Sequence, residues 1–157
     1  MAPIPIVDIF AGPGGLNEGF STVYSNLGTS CFTSVLAAEM DAFAHETLTL
    51  RSFFRASCEF GVAESYYSYI KGEQTLKFDK KNRDLFTDAQ DKNLCITLGT
   101  TDGNKVFDEK LTQVLKSNQH WALLGGPPCQ AYSTARRWTF RTEEGFDLSG
   151  DHRAHLY

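Results

Sequence analysis

An α/β fold of alternating strands and helices is predicted by three features of this chain. Short apolar runs rich in β-branched residues recur at 3–10, 31–40, 93–99 and 120–126. Segments with helical spacing follow the first three, and the first and last run into glycine clusters. Strand, helix, strand, helix is the order of a doubly wound parallel sheet, in which each strand needs a crossover to reach the next.

The elements follow in order. "PIPIVDIF" (3–10) is a continuous apolar run and reads as a buried strand that ends toward Gly12. "GGLNEGFSTVYSNLG" then places Leu16, Phe20, Val23 and Leu27 at helical spacing, with Gly28 as the expected C-cap. "CFTSVLAAEM" (31–40) is a second buried strand, ending on an acid. "DAFAHETLTLRSFFR" is a helix with Asp41 placed to cap it. From about 56 to 93 the chain is aromatic and charged without a clean period, and is read as an insertion containing some helix. "NLCITLG" (93–99) is a third strand. "NKVFDEKLTQVLK" is a helix with Val106, Leu111, Val114 and Leu115 inward, and "HWALLGG" (120–126) is a fourth, buried strand.

Composition narrows the class. With 41% apolar residues among 157, the chain fits one domain with a sizeable core, not a disordered segment. No run of about 18 apolar residues occurs, and "MAPIPIVDIF" lacks the basic region of a secretory signal. A cytoplasmic protein with no membrane association is therefore expected. Cys31, Cys58, Cys95 and Cys129 are widely spaced with no Cys-x-x-Cys pair. That disfavours a zinc site or a disulfide framework, so no metal is expected and three of the thiols are read as small core residues. The net charge of −4 argues against a free-standing nucleic-acid binder driven by counterion release. The local exception is "ARRWTFR", where Arg136, Arg137 and Arg141 interleave with Trp138 and Phe140.

Three stretches carry chemistry. The glycines of "DIFAGPGGLNEGF" (8–20) lie between a strand and a helix, where backbone can approach a ligand closely. The G-x-G-G spacing is shorter than the dinucleotide fingerprint, and by itself it serves equally as a tight connection. Glu39 ends the second strand, where an acid reaches ribose hydroxyls across the sheet's switch point. Alone it is also an ordinary strand-end charge. Glycine turn and acid together favour a nucleoside-bearing cofactor. The third stretch, "LGGPPCQAYS", ends the fourth strand on a turn stiffened by Pro127 and Pro128, with Cys129 at its tip. A thiol has a pKa near 8.5 and needs help to act as a thiolate.

These stretches resemble the motifs of cytosine carbon-5 DNA methyltransferases, in the family's order. "DIFAGPGG" is similar to the first motif, "AAEM" to the acidic second, "GGPPCQAYS" to the motif that bears the nucleophile, and "DHRAHLY" to the next. The resemblance covers both ends of the chain but not residues 56–95. It implies a Rossmann-like, S-adenosyl-L-methionine-dependent methyltransferase fold, of which the chain holds the first four strands. Phe10, Ala11, Gly12, Gly14, Gly15 and Leu16 would line the S-adenosyl-L-methionine pocket, with Asp8 shaping the turn. Glu39 would bind the ribose hydroxyls, Met40 would pack on the adenine, and Pro127 and Leu156 would also touch the cofactor. Cys129 would be the catalytic nucleophile. Gln130 and Ser133 would lie against double-stranded DNA, and Arg136, Arg137 and Arg141 would sit on a loop closing over it.

The resemblance also has departures. The family's adenine-binding acid often stands as Gly-Asp after the third strand, whereas here "LGTTDGN" offers Asp102. The span from Cys129 to Arg153 is long for a compact member of the family. The later motifs and the target-recognition region are not in the sequence. The chain is thus read as the N-terminal part of a catalytic domain, inactive alone and completed by a C-terminal half or a second chain. A restriction–modification role in bacteria is the expected setting. A tRNA cytosine-5 methyltransferase and a non-catalytic cofactor-binding module are the alternatives.

Overall fold

A computed structural model describes residues 2–58, 64–73, 75, 80–115 and 120–127. Among these residues nine elements follow one another: β1 (Ile4–Ile9), α1 (Gly15–Ser21), β2 (Phe32–Glu39), α2 (Ala42–Cys58), α3 (Glu64–Ile70), α4 (Lys80–Lys92), β3 (Asn93–Cys95), α5 (Thr101–Val114) and β4 (Ala122–Gly125). The four strands form one parallel sheet in the order β3-β2-β1-β4. The fold is α/β and compatible with a Rossmann-like sheet.

The order explains the burial. β1 lies between β2 and β4, so both of its edges are paired, and Ile6, Val7 and Asp8 have no exposure. Leu36, Ala37 and Ala38 of β2 are buried beside them. Register shifts by one residue after Ile6, whose partner is Ser34 while Val7 pairs with Leu36. β1 begins the switch point: its neighbour β2 follows it in sequence, while β4 returns to its other side only after α5. Ligands of open α/β sheets bind at the carboxyl ends of strands beside such a reversal.

Asp41 caps α2 as expected, its Oδ1 accepting the Ala44 N–H at 2.8 Å. Other boundaries differ from the pattern. α1 stops at Ser21, although the apolar spacing runs on to Val23 and Leu27. Ser25, Thr29 and Gly28 overrule that spacing with a tight turn. The Ser25 N–H donates to the Thr29 carbonyl at 2.8 Å, the Gly28 N–H donates to Ser25, and Gly28 has φ +73°. Tyr24 and Ser30 then bridge antiparallel ahead of β2, leaving Val23 and Leu27 exposed. Gly28 is a turn residue here, not a helix cap.

β3 has three residues instead of seven, because α5 starts at Thr101, earlier than its spacing indicates. Thr100 caps α5, accepting the Gly103 N–H at 3.1 Å. Gly103 packs so closely that a Cβ would lie 2.1 Å from the Thr97 carbonyl oxygen. This start turns Val106 outward, and it is exposed. β4 is only half-buried, with Leu123 exposed, since among the described residues it pairs with β1 alone. Cys58 and Cys95 are exposed rather than core residues, because they close α2 and β3 at element ends.

The stretch that lacked a period contains α3 and α4. Two of its aromatics are packed by tertiary contact: Phe53 of α2 meets Tyr66 and Phe86, with ring centroids 6.4 and 5.7 Å apart. Ala89 closes this cluster, and Leu50, Phe54 and Leu85 flank it. Phe53→Ala is expected to destabilise the protein by about 3–5 kcal/mol, since it leaves a cavity between three helices. Urea unfolding measures it, and a loss below about 1 kcal/mol would mean the cluster does not hold α2 to α4.

Candidate functional site

The carboxyl edge of the sheet brings two turns together. One leaves β1 through Phe10–Gly15, and the other leaves β2 at Glu39–Asp41. Glu39 joins them. Its Oε2 accepts the Gly12 N–H at 2.7 Å, and its Oε1 accepts the N–H groups of Met40 and Asp41 at 2.9 and 2.8 Å. A carboxylate offers about four acceptor positions, so three are engaged and one is left for an outside donor.

The β1 turn is conformationally demanding. Phe10 has φ +55°, and among the described residues it alone is a non-glycine in the left-handed region. Gly12 and Gly14 follow at φ +55° and +86°. A left-handed backbone costs a residue with a side chain roughly 1–2 kcal/mol, which explains glycine at the other two positions. At Gly14 a Cβ would also meet Leu48 Cδ1 at 2.8 Å. The Gly14 N–H donates to Ala11 at 3.0 Å and the Ala11 N–H to Ala38 at 3.1 Å, so the turn stays in register with β2.

Most predicted site residues that lie within the described structure gather here. Phe10 and Gly12 are half-buried, Ala11 and Gly14 are buried, and Gly15 is open. Leu16 and Met40 leave large apolar side chains 48% and 58% exposed beside the two turns, so each can cover an apolar group. Pro127 follows the end of β4, where Gly125 pairs with Ile9. The fit there is close, for a Cβ on Gly125 would lie 2.8 Å from Ile9 Cγ1. Asp102 stands exposed in the first turn of α5. Cys129, Gln130, Ser133, Arg136, Arg137, Arg141 and Leu156 lie outside the described residues.

Asp8 is placed differently from the others. It is fully buried beneath the turn rather than at its mouth, and among the described residues neither carboxyl oxygen has a hydrogen-bond partner. Burial raises its pKa from 3.8 to about 6, and the nearby Asn17 backbone N–H opposes the rise without closing a bond of ordinary geometry. Other polar groups lie between α1 and the sheet. Asn17 donates to Ser34 Oγ at 2.7 Å and accepts from Ser21 Oγ at 3.2 Å.

Two further groups were not legible in the sequence. Arg51 of α2 donates through Nη1 to the Pro13 carbonyl at 3.0 Å. Arg55, one turn on, pairs with Glu18 of α1 and donates to Ser52 Oγ at 3.2 Å. Their partners are 38 and 37 residues away, and no local pattern signals such pairings. A separate cavity of about 440 Å³ opens between α2, α3 and α4, lined by His45, Glu46, Thr49, Tyr69, Phe86 and Gln90 among others. None of the predicted site residues lines it.

The chain is similar to the Type II methyltransferase M.Bpa9945I of Bacillus paralicheniformis, at 24% identity over 159 residues. That match covers 90% of this chain and 34% of the relative, so the chain spans about a third of the relative's length. No protein-family model matches the chain, and no solved structure does. Among the described residues no helix is long and apolar enough to cross a membrane.

The raised pKa of Asp8 sets a pH dependence. Its neutral form is favoured in the folded state, so stability falls as pH rises from 3.8 through about 6 and stays lower above that. Asp8→Asn carries no charge and is expected to be the more stable protein at pH 8, by about 2–3 kcal/mol. Near pH 4 the two should converge. Urea unfolding across this range measures it, and a wild type no less stable at pH 8 than the variant would refute the assignment.

Proposed function

We propose that this chain is the cofactor-binding part of an S-adenosyl-L-methionine-dependent methyltransferase acting on carbon 5 of cytosine in DNA. The observation that carries the reading is the Glu39 carboxylate held against the Gly12 N–H at 2.7 Å. It puts a strand-end acid beside a left-handed glycine turn at the switch point of a parallel sheet. The residues present fit the cofactor. Glu39 keeps an acceptor position for a ribose hydroxyl, Gly12 and Gly15 leave room for close approach, and Leu16 and Met40 offer apolar surface. Bound there, S-adenosyl-L-methionine supplies an electrophilic methyl group. The similarity to a Type II methyltransferase supports methyl transfer, and the resemblance of the motifs points to DNA as the acceptor.

The chain's own residues would do the following. Glu39 orients the ribose from a position that three N–H groups already fix. The strand β4 leads through Pro127 to Cys129, the nucleophile. Its thiolate adds to carbon 6 of the cytosine ring, and the electron pair displaced from the ring double bond makes carbon 5 electron-rich. A ring carbon is closed off within a stacked duplex, so the base has to leave the helix first. Gln130, Ser133, Arg136 and Arg137 would hold the DNA, the arginines through phosphates that give position without sequence.

The test uses the complete protein. Cys129→Ser is expected to abolish methyl transfer to DNA while S-adenosyl-L-homocysteine binding, measured by calorimetry, stays unchanged. Glu39→Ala is expected to weaken that binding at least about tenfold, since it removes a charged acceptor. Methylation that survives Cys129→Ser would sink the nucleophile assignment. Transfer to tRNA but not to DNA would overturn the substrate.

A further inference from the structure

We propose that Arg51 is a positioning residue for the cofactor turn, acting by preventing rotation of the Pro13–Gly14 peptide unit; this rests on the cofactor reading of that turn. Strained backbone persists only where its surroundings over-determine it. Phe10 is strained in this way at φ +55°, and the left-handed Gly12 and Gly14 beside it are free to take other conformations, so the turn needs support from outside.

The supports come from two elements, β2 and α2. β2 contributes the Glu39 carboxylate on the Gly12 N–H. α2 contributes Leu48, which leaves no room for a side chain at Gly14. Between these two points lies the Pro13–Gly14 peptide unit. Proline fixes φ at residue 13 but leaves its ψ free, and Gly14 tolerates almost any φ, so this unit can flip at little steric cost. Its two polar ends are both engaged. The Gly14 N–H donates to the Ala11 carbonyl at 3.0 Å, and the Pro13 carbonyl accepts from Arg51 Nη1 at 3.0 Å. A flip would reverse both groups at once. Arg51 thus supplies the bond to the outer end, and it is a charge-assisted one, the stronger kind.

Arg55 provides the internal comparison. It lies on the same helix one turn further on and pairs with Glu18 of α1, without touching the turn. One arginine therefore holds the turn, and the other holds α1 to α2.

Three measurements on the complete protein test this: calorimetry with S-adenosyl-L-homocysteine, amide hydrogen exchange at Gly12 and Gly14, and thermal melting. Arg51→Ala is expected to raise the dissociation constant at least about fivefold and to speed exchange at those amides. Its melting temperature should stay within about 2 °C of wild type. Arg51→Lys should recover most of the affinity, because one carbonyl needs only one donor. Arg55→Ala should lower the melting temperature and leave the dissociation constant within about twofold. An Arg51→Ala protein with wild-type exchange at Gly12 and Gly14 would overturn the proposal. So would losses of affinity in both variants that track their losses of stability. A wild type that does not bind S-adenosyl-L-homocysteine would overturn the cofactor reading alone, because exchange still measures the hold of Arg51 on the turn.

Discussion

The carboxylate of Glu39 is the point on which the carboxyl edge of the sheet depends. It accepts three main-chain N–H groups, one from the turn after β1 and two from the start of its own turn into α2. Neighbouring strand ends would otherwise diverge into independent loops. Together with the Ala11 N–H bond to the Ala38 carbonyl, this group gives the two loops a shared geometry, and one acceptor position stays spare. A neutral amide at this position has one oxygen, and its NH₂ would face N–H donors. The requirement is for an acid.

The turn that Glu39 holds does not rest on its own preferences. Left-handed conformations at Phe10, Gly12 and Gly14 are kept by contacts from β2 and α2. The helix α2 is therefore more than a crossover. It packs Leu48 under Gly14, reaches Pro13 with Arg51, and ties α1 through Arg55. Beneath the same turn, Asp8 is buried without a hydrogen-bond partner among the described residues, so the folded state favours its neutral form. A buried carboxyl lowers stability unless it is paired, and a site often tolerates that in exchange for a defined shape.

The second centre of packing lies away from this edge. α3 and α4 stand on α2 through Phe53, Tyr66 and Phe86, so α2 carries the turn with one part of its surface and an aromatic core with another. Asn93 ties β3 to α2 and α4. Its side chain donates to Ser52 Oγ of α2 at 3.0 Å and to the Ala89 carbonyl of α4 at 2.7 Å, at the first residue of β3. The short β3 is thereby set in register by the helices beside it.

The elements readable from the amino-acid order alone are those that local chemistry decides. Continuous apolar runs marked β1 and β2, Asp41 marked the start of α2, and glycines marked the turn after β1. Each depends on residues within a few positions of one another. Helix ends were less legible, because Ser25, Gly28 and Thr29 could build a turn where the spacing of Val23 and Leu27 still favoured helix. Only the tertiary structure decided the strand order, the exposure of Cys58 and Cys95, the burial of Asp8 and the aromatic cluster around Phe53. The same holds for the bonds from Glu39 to Gly12 and from Arg51 to Pro13, which join residues 27 and 38 positions apart. Periodicity and capping report on neighbours along the chain, and a contact across such distances exists only once the sheet has brought its ends together.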